Sequence, residues 1–279
     1  MPSALDPYLY PGTNVLKNIP GIRDAAKLRQ FEYEQTASRV VELRLHPLPD
    51  RFYLAKLRAV HKYLFQDIYE WAGQLRTVNI AKGGTLFALP LFIEGEGRRM
   101  SAELRAENNL QNLPKNQFVQ RLAYHYSEWN AAHVFRDGNG RSIREFLGQL
   151  ALGAGYVINQ GRIDNDQNQW NEAARVSMAG NLRDIERIFD EVVRPTRSVA
   201  FETLPADDAL AKHPELAPAI THLKALQMSV EQRFPNQIDT QEKYLSEMRA
   251  QLIKKLDNGE IPLTSPSKNM EPRPQSRGR

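Results

Sequence analysis

The chain has 279 residues, 41% hydrophobic and 25% charged, enough to bury one good core beside a smaller appended unit. It has no cysteine, which excludes disulfides and thiol catalysis, and no apolar run of about 18 residues that would cross a bilayer. The formal charge of +4 is not concentrated on one element; the tail TSPSKNMEPRPQSRGR alone carries four basic residues against one acid, which argues against a direct nucleic-acid role.

The opening MPSALDPYLYPG lacks a basic stretch followed by an apolar one, so no secretory signal is expected, and a cytoplasmic location fits the absence of cysteine. Residues 24–44 read as a helix. From Phe52 to Ile68, the residues Leu54, Leu57, Val60, Leu64 and Ile68 recur at steps of three and four, one face of a second. The segment RTVNIAKGGTLFALP (76–90) breaks the pattern. Val78 and Ile80 alternate with polar neighbours, Lys82-Gly83-Gly84 is a turn signal, and Phe87 and Leu89 alternate again. That predicts a short β-hairpin, whose open edge could pair main chain with an incoming peptide.

Helices follow at 93–109, at 118–132 (Phe118, Leu122, Tyr126, Trp129), at 142–154 (Ile143, Phe146, Leu147, Leu150), at 168–177 and at 181–193. From Arg194-Pro195 onward the composition shifts, with four prolines between residues 194 and 218. The expected organisation is a domain over residues 1–195, an appended helical region over 196–260 with helices at 206–231 and 240–256, and a disordered basic tail over 261–279. The fold class is mainly α.

Between two of these helices stands HVFRDGNGRSIREF (133–146). The stripe Leu122, Tyr126, Trp129 projects on to His133, a group that exchanges a proton near neutral pH. Asp137-Gly138 and Asn139-Gly140 are turn dipeptides, and the helix that follows opens with amides lacking intrahelical partners. A glycine-rich turn feeding a helix N-terminus suits an anion, with phosphate the usual occupant. Arg141 and Arg144, three apart, can reach the same anion with their forked guanidinium groups. Beside polyphosphate, the Asp137 carboxylate suits magnesium, and Phe135 reads as a buried prop. Singly, these features are ordinary caps, turns and solvated charges; together they equip a site for moving a phosphorus-containing group. No metal-ligand spacing surrounds His125, and no Walker, nucleophile-elbow or Rossmann motif appears.

The run from His133 to Arg144 resembles the Fic signature H-x-F-x-[D/E]-G-N-G-R-x-x-R at every defined position. DPYLYPGTNVLKN (6–18), LFQDIYEWAGQLRTVNI (64–80) and LGQLALGAGY (147–156) extend the likeness, towards bacterial Fic toxins paired with a separate antitoxin, over roughly residues 6–194. The resemblance implies a Fic-type helical bundle with a β-hairpin flap and transfer of AMP from ATP to a Ser, Thr or Tyr hydroxyl of a target protein. It implies His133 as the base, Asp137 as the Mg²⁺ ligand, main chain at Gly138, Asn139 and Gly140 on the phosphates, and Arg141 and Arg144 as phosphate clamps. The flap, here Thr77, Val78, Asn79, Ile80, Lys82, Gly83 and Gly84, would register the target segment. Topoisomerase subunits are among the targets that the likeness suggests.

Many such relatives carry an inhibitory S/T-x-x-x-E-G/N motif. Here Ser38…Glu42, Ser198…Glu202 and Ser267…Glu271 are followed by Leu43, Thr203 and Pro272, so a separate inhibitor is expected instead of an internal one. Two other readings remain open at this level: a nucleotide-binding interaction module without catalysis, and transfer of UMP or phosphate.

Overall fold

The computed structural model describes residues 6–49, 53–82 and 84–260. It comprises two compact units, Met1–Val193 and Arg194–Arg279. The first holds helices α1 (Ala25–Leu45) and α2 (Leu54–Phe65), strands β1 (Ala81–Lys82) and β2 (Thr85–Leu86), then α3 (Pro90–Ala106), α4 (Lys115–Ala132) and α5 (Asn139–Gly153). Strand β3 (Tyr156–Ile158) and helices α6 (Gln160–Asn165), α7 (Gln167–Ser177) and α8 (Arg183–Val192) complete it.

Local chemistry sets several boundaries. The Asp24 carboxylate accepts from the Lys27 amide (2.8 Å) and starts α1. Pro90 occupies the first turn of α3, where a missing N–H costs nothing. Asp166 caps α7 through the Gln169 amide (3.0 Å). Helix α5 packs against both α2 and α4. The stripe of α4 (Phe118, Leu122, Trp129) meets Ile143, Phe146 and Leu150 of α5 in one core, to which α8 adds Ile185 and Phe189. Trp129 meets Phe146 edge-on, ring centroids 5.8 Å apart. A second cluster, under α1 and α2, gathers Leu43, Val60, Leu64, Phe65, Ile68, Tyr69 and Trp71. The two cores flank the turn between α4 and α5.

The hairpin is shorter than its sequence pattern. Only two pairs form, Ala81 with Leu86 and Lys82 with Thr85, and Phe87 N–H reaches Ile80 O at 3.3 Å. Thr77, Val78, Asn79 and Ile80 lie outside the ladder as irregular chain. Their alternation reflects half-buried Val78 and Ile80 in a segment tied down at its base, not a paired strand. Gly84 supplies the turn with a φ of 80°, and Gly83 lies outside the described residues.

The second unit contains the strand β4 (Val193–Pro195), which straddles the junction, and helices α9 (Thr196–Thr203), α10 (Ala206–Lys212), α11 (Ala217–Arg233) and α12 (Ile238–Asp257). Phe201, Leu216, Ile220, Leu252 and Leu256 form its core. The single helix expected over 206–231 is two. His213, which precedes Pro214, is driven to φ −136° and ψ 75°, and a 3-10 turn at Pro214–Leu216 separates α10 from α11. The expected tail, 261–279, lies outside the described residues.

Candidate active site

Helix α4 ends by turning left-handed. His133, its C-cap, has φ 44° and ψ 60°, and its N–H donates to Trp129 O (3.1 Å). For a residue with a Cβ this geometry costs about 1–2 kcal/mol, a strain typical of functional sites. The turn is held from inside. Val134 and Phe135 are fully buried. The Asn139 carboxamide is clipped to one residue, accepting from Phe135 N–H and donating to Phe135 O, both at 2.8 Å. Gly138 (φ 76°) lies so close to Phe65 that a Cβ would come within 2.4 Å of that ring.

His61, buried on α2, braces the turn from below. Gly73 N–H donates to its Nδ1 (2.8 Å), so the ring proton sits on Nε2 and donates to Asp137 O (3.0 Å). The ring also stacks on Phe135, centroids 3.8 Å apart. Burial, foremost, pushes the His61 pKa down to about 3, so this imidazole is neutral and structural.

His133 is different. Its Nδ1 lies 3.1 Å from Asn130 O, a group that can only accept, which places the ring proton on Nδ1 and leaves Nε2 with a free lone pair. The ring stacks on Phe87 at 3.7 Å. Burial pushes its pKa down to about 4; the Asn130 carbonyl and Asp137 oppose that shift, while Arg76 and Lys82 reinforce it. At neutral pH His133 is an unprotonated acceptor.

Helix α5 begins with no side-chain cap. The amides of Asn139, Gly140 and Arg141 precede its first backbone bond, Ser142 N–H to Gly138 O (3.0 Å). These residues share a cavity of about 580 Å³ with His133, Asp137, Gly138 and Arg144, the size of a small-ligand site. Lys82 of the flap lines it; Thr77, Val78, Asn79, Ile80 and Gly84 do not. The far wall is α7 and its C-cap, where Trp170, Asn171 and Arg175 of the helix and Met178 just past it line the same space. Sequence reasoning missed that wall, since nothing in a polar helix that begins only at Gln167, well past the motif, marks it as a lining.

Each arginine is paired. Arg144 meets Asp164 at 2.5 Å. Arg141 lies over the Phe65 ring and 3.6 Å from Glu32, a buried carboxyl whose other oxygen accepts from Tyr69 OH at 2.5 Å. Burial holds the Glu32 pKa above the ordinary carboxylate value, with Arg141 opposing. The two arginines also form a wall of a second cavity, about 720 Å³, between α1 and α6. The near-miss glutamate of this unit is engaged elsewhere, since Glu42 bonds Arg39 and Tyr63; within the second unit Glu202 bonds Arg194. Ser267 and Glu271 lie outside the described residues.

A metal cage made of protein alone is absent, since no cluster of three or more His, Cys, Asp or Glu suited to a metal occurs among the described residues. The exposed Asp137 carboxylate beside an anion cradle fits a magnesium ion that takes its remaining ligands from phosphate and water.

The family model for the Fic/DOC family matches residues 51–151. The chain is 42% identical over 188 residues to the "Probable protein adenylyltransferase Fic" of Escherichia coli (strain K12), covering 67% of this chain and 92% of that one. Among solved structures it resembles the N-terminal Fic domain of a VirB-translocated Bep effector protein of Bartonella quintana with bound ADP. That match has 30% identity and a TM-score of 0.63 and covers 69% of this chain and 96% of that one. It also resembles BepC of Bartonella tribocorum with bound AMPPNP, at 29% identity and a TM-score of 0.62, covering 67% and 96%. By its signature turn, its helical frame and its identity to a relative matched nearly end to end, the chain belongs to the Fic/DOC family.

Proposed function

We propose that the chain is a protein adenylyltransferase, moving AMP from ATP to a side-chain hydroxyl of a target protein. The observation that carries this reading is the convergence, in one cavity, of a proton acceptor, open helix-terminal amides and two guanidinium groups. Relatives in the family are named for this activity, and a related domain holds an ATP analogue.

In this reading the amides of Asn139, Gly140 and Arg141 grip phosphate oxygens, with Arg141 and Arg144 closing on them as they leave Glu32 and Asp164. Asp137 would hold Mg²⁺, which supplies charge neutralisation for the triphosphate. The target oxygen bonds to the α-phosphorus, the bond from that phosphorus to the bridging oxygen breaks, and pyrophosphate leaves. The proton of the attacking hydroxyl goes to His133 Nε2, which the Asn130 carbonyl keeps free and oriented. The flap around Lys82 would present the target segment by main-chain pairing along its short open ladder.

Regulation by a separate inhibitor protein is supported by the engagement of Glu42 with Arg39 and Tyr63, and by the second cavity on the outer side of Arg141 and Arg144. No helix among the described residues is long and apolar enough to cross a membrane.

Labelled ATP tests the reaction. With label on the α-phosphorus, a bacterial lysate should yield labelled protein, and His133→Ala should lower the rate by about 10²–10⁴-fold. Protein labelled only from the γ-position, or only from UTP, would point to phosphate or UMP transfer. Nucleotide binding with no protein labelled by any of them would leave a binding module.

A further inference from the structure

Arg76 is 2% exposed, and no carboxylate pairs with it among the described residues. Every bond its guanidinium makes goes to a main-chain carbonyl. Nε donates to His133 O (2.7 Å), Nη1 to Val78 O (2.8 Å), and Nη2 to Ala88 O and to Ala132 O (3.3 Å). These acceptors belong to three separate stretches. Ala132 and His133 close α4, where carbonyls lack helical partners and carry the negative end of the helix dipole. Val78 lies on the chain entering the hairpin, and Ala88 on the chain leaving it.

One planar fork thus ties both legs of the hairpin to the residue whose side chain faces the cavity. Main-chain bonds run alongside, from Arg76 N–H to Val134 O (3.0 Å) and from Ala88 N–H to Ala131 O (3.2 Å). The hairpin has only two strand pairs of its own, so its height above His133 depends on this attachment.

We infer that Arg76 is a positioning residue that sets the register between the flap and His133, so that a hydroxyl presented by the flap arrives at Nε2. The inference rests on the adenylyltransferase reading and deepens it. Arg76 does not itself line the cavity; its contacts with the site run through main-chain carbonyls, and its charge also helps keep the His133 imidazole neutral, a charge that lysine would retain. A lysine would keep the charge and bond some of the carbonyls, but as a point donor it cannot hold all three stretches in one plane.

The test is Arg76→Lys, read three ways. ATP affinity should stay within about twofold of wild type, because α5 is untouched, while kcat for transfer to protein falls about 100-fold, the scale of a misplacement near 1 Å. Amide exchange should quicken at Phe87 and Ala88, whose N–H groups bond Ile80 O and Ala131 O, while residues 122–129 of α4 keep their protection. Transfer within about threefold of wild type would overturn the inference, as would a loss of ATP affinity and of α4 protection in step with transfer, the pattern of a general loss of fold. The wild-type protein gives an independent reading if the variant does not fold: the Arg76 Nε–H, bonded to His133 O, should exchange slowly, and free exchange with solvent would also overturn it. A wild-type protein that labels no target would sink the adenylyltransferase reading, and the exchange measurements would still decide whether Arg76 clips the hairpin to α4.

Discussion

Gly138 and Gly140 stand two residues apart and are glycine for different reasons. Gly138 has φ 76° and Phe65 where a Cβ would be, with that ring stacked over His61 and unable to retreat. Gly138→Ala should therefore destabilise the protein by about 3 kcal/mol or more, measured by urea unfolding. Gly140 has no atom within 4 Å of its would-be Cβ, which would point into open space at the mouth of the cavity. Gly140→Ala should leave the melting temperature unchanged within about 2 °C, since alanine suits a helix, while weakening ATP binding about tenfold or more by filling the approach to the amides. The sequence marks both glycines equally. It also marks Asn139, but not that its side chain grips Phe135 while only its main chain faces the cavity. The partners of the arginines were not legible at all, because Glu32 and Asp164 lie 109 and 20 residues away and share no local pattern with the motif.

At the scale of elements, most helices could be read from their stripes, and α4 and α5 follow the apolar spacing closely. Errors arose where proline or tertiary anchoring overrides periodicity, as at Pro214 and along Val78 and Ile80. Helix α6 is too short for a periodic signal, yet it brings Asp164 to Arg144 and so influences the cradle on α5. Freeing Arg144 means giving up that pair, whose carboxylate is half exposed, at a cost of about 0.5–1 kcal/mol. Asp164→Asn should accordingly strengthen ATP binding about two- to fivefold at low salt, with the gain shrinking as salt rises. Isothermal titration at two ionic strengths checks it, and unchanged affinity at both would show that the arginine swings free without penalty.

For the whole molecule, the buried imidazole of His61 links stability to pH. Its folded pKa is depressed to about 3 from an ordinary 6.5, so the unfolded chain takes up the proton first. Its contribution is complete above about pH 6.5 and is lost as pH falls toward 3, at up to about 1.4 kcal/mol per pH unit. His133, depressed to about 4, adds a slope of the same sign. His61→Leu should be less stable than wild type at pH 7, having lost two hydrogen bonds, yet should show a shallower fall in melting temperature between pH 6.5 and 4. Parallel curves for the two proteins would show that other groups govern the acid limb. None of this can be seen in the sequence, where His61 is one of several polar residues on an amphipathic helix; its role appears only when α2 meets the turn after α4.

The clip on Asn139 bears on how the protein ages. Asparagine before glycine cyclises readily in a loose chain, because the next nitrogen attacks the carboxamide and leaves aspartate or its iso-form behind. Here both ends of that carboxamide are tethered to Phe135, so it cannot swing on to the Gly140 nitrogen. A copy that spends time unfolded is exposed to an irreversible chemical scar at the one turn it cannot do without, and two hydrogen bonds thereby help set its working lifetime.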